Sequence, residues 1–320
     1  MSHVDREAPI ANQSAHTVAV ALGANICVGL AKLTAAVVTG SAAMWAEATH
    51  ALADVGNQLL LVTAQRRSAR MPDSKHPFGY GRDAYFWALI ASIVVFTAGA
   101  GFSLREGIDG LTHPIVGSSF TTEYVVLGIC LLVDYVSLRQ SSRQLRLEAS
   151  DVQREFLDHL MLTSDPTVRA VFAEDAAAIA GDLIALTGIA VHQAIGSSAP
   201  EGFSAIVIGL LLIGVGAQLA RRNHDFLLGE QATPAVTNRV RSLLVSFDGV
   251  IAVRELLITF VGPRQMWVLA RVDIDDNLRG NEVEALVRNV EATLKRQSRH
   301  VTRVDVVPIG DPRSRPPETQ

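Results

Sequence analysis

Residues 85–104 read YFWALIASIVVFTAGAGFSL and residues 203–220 read FSAIVIGLLLIGVGAQLA, two stretches without a single charge. A helix crosses a hydrocarbon core with about 20 apolar residues, so these runs decide for a membrane fold. Four further runs repeat the pattern at Val18 to Val38, Ala42 to Ala64, Tyr124 to Leu138 and Val168 to Val191, each carrying at least one charge. The Tyr124 run is short for a span and is expected to continue as helix into the Arg-rich segment behind it. Composition agrees: 49% hydrophobic residues, 19% charged and a mean hydropathy of +0.27 are too apolar for an ordinary soluble domain. A net charge of -4 with scattered basic residues leaves no footprint for nucleic acid. Cys27 and Cys130 lie in apolar runs with no CxxC or Cys/His cluster and read as small packing residues.

Lys and Arg set the orientation. Arg66, Arg67, Arg70, Lys75 and Arg82 lie between the second and third runs, Arg139, Arg143, Arg146 and Arg154 between the fourth and fifth, and Arg221 and Arg222 after the sixth. The opposite loops hold only Arg105, which places the basic segments and both termini in the cytoplasm. The first residues have mixed charge and no small-residue cleavage site, so the first helix is expected to be retained; the lack of a targeting segment points to a bacterial inner membrane.

Beyond His224 the pattern becomes that of a soluble domain. Thr233-Pro234 opens a helix to Phe247, and Val253 to Val261 and Met266 to Ile274 read as strands joined across Gly262-Pro263. In the second strand Val268, Ala270, Val272 and Ile274 alternate with Leu269, Arg271, Asp273 and Asp275, giving one covered and one wet face. An amphipathic helix over Asn281 to Arg296 and a strand over Val301 to Val307 complete an α-β-β-α-β order. The expected architecture is a membrane all-α domain of six transmembrane helices, residues 18–222, followed by a small cytoplasmic α+β domain, residues 223–310. Residues 1–17 form a cytoplasmic N-terminal segment and 311–320 a disordered tail.

Ionisable side chains at bilayer depth cost several kcal/mol unless paired or facing a wet cavity, so each is a functional candidate. Glu47, His50 and Asp54 are three and four apart, which stacks them on one helix face about 5 to 6 Å from neighbour to neighbour. An imidazole and a carboxylate so spaced can both reach one divalent ion; the competing reading is a His-Asp hydrogen bond that only packs helices. The fifth run supplies Glu174, Asp175 and Asp182, with Asp175 and Asp182 on a common face and Glu174 about 100° away. For Glu174 and Asp175 the competing reading is a solvated helix start, where acids suit the dipole. Lys32 either snorkels or pairs with an acid such as Glu47, and Asp134 either lines the cytoplasmic entry or pairs with a nearby Arg.

The run from Gly40 through Glu47, His50 and Asp54, followed by His76-Pro-Phe-Gly-Tyr-Gly-Arg82, resembles the cation diffusion facilitator family of divalent metal transporters. Asp165-Pro-Thr-Val, Glu174-Asp175 and Gly181 resemble its zinc-transporter-9-like branch. The resemblance implies a homodimeric, proton-coupled antiporter that exports a divalent transition metal from the cytoplasm. It places the ion between helices two and five and the dimer contact in the cytoplasmic domain. His50 and Asp54 match the family's helix-two ligands. Helix five departs from the common His and Asp four apart, leaving Asp175, Glu174 and Asp182, in that order, as the oxygen donor. Zinc is the first expectation, with iron, manganese or cobalt as alternatives for so hard a donor set. Asp73 and His76 match a peripheral metal site of some members, but its further His is Tyr80 here, so a weak or absent loop site follows; His76 equally suits a turn beside Pro77. His300 is the one histidine after His224, so no regulatory metal cluster is expected there.

No permanent cofactor is implied; the partners are the transported cation, protons, the bilayer and a second copy. An intramembrane metalloprotease lacks its HExxH, and the spans hold no Ser/Lys or Ser/His pair. A metal sensor without transport and an organic-cation transporter of the same fold remain as rival functions.

Overall fold

The computed structural model describes residues 8–113, 119–151, 163–298 and 300–309. Six long helices come first: α1 Ala8–Thr39, α2 Ala42–Ser68, α3 Asp83–Thr112, α4 Phe120–Asp151, α5 Pro166–Ile195 and α6 Ala199–Leu228. α7 Pro234–Val245, β1 Val250–Gly262, β2 Gln265–Ile274, α8 Gly280–Gln297 and β3 Val301–Ile309 follow. The long helices overrun their apolar stretches because the polar flanks are themselves helix formers, and α4 runs on to Asp151 through its Arg, Gln and Leu residues. Residues 8–17, expected as a segment ahead of the first span, are already part of α1. Residues 1–7, Arg154 and the tail 311–320 lie outside the described residues.

Four helices are long and apolar enough to cross a membrane: α3, α4 over Phe120–Arg143, α5 and α6; α1 offers a shorter apolar stretch, Asn25–Thr39. α2 falls below that level because Glu47, His50, Asp54 and Asn57 interrupt it, and all four are buried among other helices. An average over the helix counts those side chains as though they faced lipid.

Contacts divide the chain into two units, Met1–Gln65 with Phe86–Asn223, and Arg66–Tyr85 with His224–Gln320. In the first, α1 turns into α2 at Gly40, whose φ of 66° is open to glycine and whose N–H donates to the Ala36 carbonyl at 2.9 Å. Ser41 Oγ then accepts the Met44 N–H at 3.3 Å and caps α2. α5 starts on Asp165, whose carboxylate accepts the Thr167 and Val168 N–H groups at 3.0 and 3.4 Å, with Pro166 in the first turn. The core is alanine-rich: Ala35, Ala36, Ala43, Ala46, Ala48, Ala185 and Ala205 pack with Met44, Leu127, Ile189 and Ile208. Small side chains let membrane helices approach closely, which is how α2 and α5 come near enough to share a site. Val37, Ile93, Val94, Ile129, Leu132, Val136, Leu183 and Leu210 are exposed, an apolar exterior suited to lipid.

In the second unit β1 and β2 form an antiparallel hairpin and β3 pairs parallel to β2 through α8, giving the sheet order β1-β2-β3. With α7 ahead of β1, the order is the expected α-β-β-α-β. Val268, Ala270 and Val272 are buried against Leu256, Ile258, Val290, Leu294 and Val304. Asp273, expected on the wet face, is instead buried, because Arg254 of β1 reaches it with Nε 3.1 Å from Oδ2. The segment between α2 and α3 belongs to this unit. Its Phe78 ring packs 5.2 Å from Trp267 with the Arg303 guanidinium 4.9 Å from the Phe78 centroid.

Candidate functional site

A cleft with about 380 Å³ of space between its atoms is lined by Lys32 of α1, His50 and Asp54 of α2, Asp134 of α4, and Glu174 and Asp175 of α5. His50 Nε2 lies 3.5 Å from Asp54 Oδ2, the geometry that an i, i+4 pair on one helix face provides. His50 is only 1% exposed, yet neither ring nitrogen has a hydrogen-bond partner; Asp54 Oδ1 and Glu174 Oε2 are likewise buried and unpartnered. Buried polar atoms are almost always satisfied, so these three residues, with Asp134 whose Oδ2 also has no hydrogen bond, make the cleft a candidate binding site.

The two candidate acids of α5 differ in surroundings. Asp175 is fully engaged by α4: Ser137 Oγ donates to Oδ1 and Ser141 Oγ to Oδ2, each at 2.9 Å. Glu174 accepts one bond from the Asn57 amide and keeps its other oxygen unpartnered. Asn57, Ser137 and Ser141 carry no charge and escape a search for ionisable residues. Asn57 does continue the α2 face at the spacing 47, 50, 54, 57, and the two serines are four apart, so periodicity was the signal available. Among the described residues, no group of three or more His, Cys, Asp or Glu side chains is placed to hold a metal ion.

Asp182 and Glu47 belong to an adjoining network instead. Lys32 Nζ lies 2.6 Å from Asp182 Oδ1 and 2.7 Å from Glu47 Oε2, with Asp134 Oδ2 at 3.7 Å. Lys32 therefore pairs rather than snorkels, and Asp134 both lines the cleft and faces Lys32 instead of an arginine. α5 approaches this network at Gly181, where an added Cβ would fall on Glu47 Oε1 and 3.5 Å from His50 Nδ1. Gly181→Ala is expected to push the Glu47 carboxylate off Lys32 and to lower thermal stability in detergent by about 1–3 kcal/mol. An unchanged unfolding midpoint would mean that the contact yields freely.

In the segment between α2 and α3, Asp73 Oδ1 accepts the Lys75 and His76 N–H groups at 2.9 and 2.7 Å, and the Tyr80 hydroxyl donates to Oδ2 at 2.6 Å. The Tyr80 bond, then those backbone N–H groups, hold the Asp73 carboxyl down at about 2, so it is ionised at any physiological pH. His76 Nδ1 sits 3.3 Å from Asp73 Oδ1. Both Asp73 oxygens thus already accept hydrogen bonds within the segment. His300 Nδ1 lies 3.1 Å from the Arg264 carbonyl.

Residues 18–228 match the cation efflux transmembrane domain. The chain belongs to the cation efflux family. That family is one of membrane transporters rather than enzymes, and this member is an integral membrane protein. Among its relatives, the mitochondrial proton-coupled zinc antiporter SLC30A9 of Xenopus laevis is 34% identical over 244 residues, 76% of this chain and 44% of that protein. Metal tolerance protein C4 of Arabidopsis thaliana is 28% identical over 83% of this chain and 58% of its own length. An uncharacterized transporter of Methanocaldococcus jannaschii is 23% identical over 88% of this chain and 95% of its own. This cation efflux chain spans under half the length of the antiporters it matches.

Proposed function

We propose that the chain is a six-span secondary transporter that exports a divalent transition-metal ion, zinc first, from the cytoplasm in exchange for protons. The observation that carries the reading is the set of orphaned donors on one cleft: both ring nitrogens of His50, Asp54 Oδ1 and Glu174 Oε2. A divalent ion is bound by neutral imidazole and ionised carboxylates, so protons compete for the same atoms and can be traded for the ion. Because the donors do not yet converge, closure of α2 on α5 around the ion is part of the proposal. Of the relatives named above, SLC30A9 is a proton-coupled zinc antiporter, which supports the choice of cargo.

On this reading His50, Asp54 and Glu174 are the ligands. Asp175, first choice from sequence, supports from beside them through Ser137 and Ser141, and Asp182 is held by Lys32. Glu174→Gln is expected to weaken metal binding by more than about 10-fold and Asp175→Asn by less. Calorimetric titration with zinc, cobalt and manganese reads both, and the opposite order of effects returns Asp175 to the ligand role. The reading includes both termini in the cytoplasm, on the side of the basic segments, a membrane domain over residues 18–222 and an α+β domain over 223–310 as the surface for a homodimer. The transport reading is tested by metal-driven proton movement in proteoliposomes across Zn, Fe, Mn, Co and Cd. Metal binding without flux would make the protein a sensor.

A further inference from the structure

A second buried polar cluster lies at the other end of the same helices. The α1–α2 turn, the ends of α3 and α5 and the starts of α4 and α6 meet there, opposite Arg139, Arg143, Arg221 and Arg222. A pocket with about 270 Å³ of space between its atoms is lined by Thr39, Ser41, Gly110, His192, Ser198 and Glu201. His192 Nδ1 pairs with Glu201 Oε1, and the Ser41 hydroxyl donates to Glu201 Oε2. The His192 ring packs edge-on at 5.0 Å from Phe120. His192 is 6% exposed and Glu201 2%.

Two observations go beyond a hydrogen-bonded clasp. Ser198 Oγ lines the pocket, is buried and has no partner. Glu123 of α4 is 0% exposed, and it lies within reach of the Thr39 hydroxyl, Glu201 and His192. Two glutamates and one histidine thus face each other, and no Lys or Arg pairs with them among the described residues. Such a group is stabilised by a positive charge, and a proton shared between Glu201 and His192 supplies one.

The cluster is also aligned with the rest of the buried charge. Along α2, Ser41, Glu47 and His50 follow at rises of about 9 and 5 Å, and along α5 His192 stands about 15 Å beyond Asp182. The His192–Glu201 pair, the Lys32–Glu47–Asp182 network and the His50 cleft therefore form a string of buried polar groups along α2 and α5.

We propose that His192 and Glu201, with Ser41 and Glu123, form a proton-binding station at the bundle end opposite the basic segments, receiving protons from that side for exchange at the cleft. Glu201 accepts the proton from solvent, shares it with His192 Nδ1, and releases it inward as the cleft gives up its metal. This rests on the proton-coupled reading above.

The test uses the full chain in vesicles of defined orientation, with zinc flux and proton flux recorded separately while pH is varied only on the far side. In the wild type, exchange rises as that side is acidified. In Glu201→Gln and His192→Asn the half-maximal pH is expected to move about one unit or more toward acid, with equilibrium zinc binding unchanged. Glu123→Gln removes a negative charge while keeping the shape of the side chain, and is expected to shift the profile in the same sense. Variants that lose thermal stability while keeping the wild-type far-side profile would show a structural clasp and overturn the station. A wild type that moves zinc without moving protons overturns the antiport reading, and the station with it.

Discussion

Replacing His50 with alanine is expected to abolish metal-driven proton movement in vesicles and to lower zinc flux by more than about 100-fold. Loss of a mere supporting partner to a ligand already costs 10- to 100-fold, and His50 is the one imidazole among the described residues that line the cleft. The same substitution removes two orphaned buried nitrogens, so the folded state should not suffer in proportion. The expected signature is therefore a protein that purifies and unfolds like the wild type but neither binds zinc at the cleft nor exchanges it. Retained exchange would remove His50 from the site and leave the orphaned ring without an explanation.

Substitution of Lys32 by alanine has the opposite profile, a large loss of stability. Lys32 is 1% exposed and is the shared counter-ion of Glu47, Asp182 and Asp134. Removing it leaves three carboxylates facing each other in a bundle interior, and breaking a buried pair in this way costs about 3–5 kcal/mol. Thermal unfolding in detergent should show it directly. Adding Asp182→Asn to Lys32→Ala should recover part of the loss, because the two changes act on one network and are not additive. A double variant no better than the single one would mean that Lys32 stabilises by packing its chain rather than by charge.

How much of this was legible in advance depends on the range of the interaction. The spans were visible because hydrophobicity averaged over about 20 residues is a local quantity, and the α-β-β-α-β order because periods of 2.0 and 3.6 are local as well. His50 and Asp54 could be placed on a common face for the same reason. Whether Glu174 or Asp175 is available was not visible, because the answer lies with Ser137, Ser141 and Asn57 on other helices. His192, one residue past the Val168 to Val191 run, shows the same limit: it lies inside α5, one turn before Gly196 with φ 72° ends the helix, and is buried against a glutamate of the next helix.

By itself, then, the sequence determined that this chain is a membrane bundle with a small α+β domain and that α2 carries an imidazole and a carboxylate one turn apart. Those facts follow from residue type and spacing along one helix. Only the tertiary structure decided which buried charges are already neutralised. Lys32 takes Glu47 and Asp182, the α4 serines take Asp175, and His50, Asp54 and Glu174 keep buried atoms without a hydrogen bond. Pairing between side chains as much as 160 positions apart is set by how helices pack, a relation that no local pattern encodes.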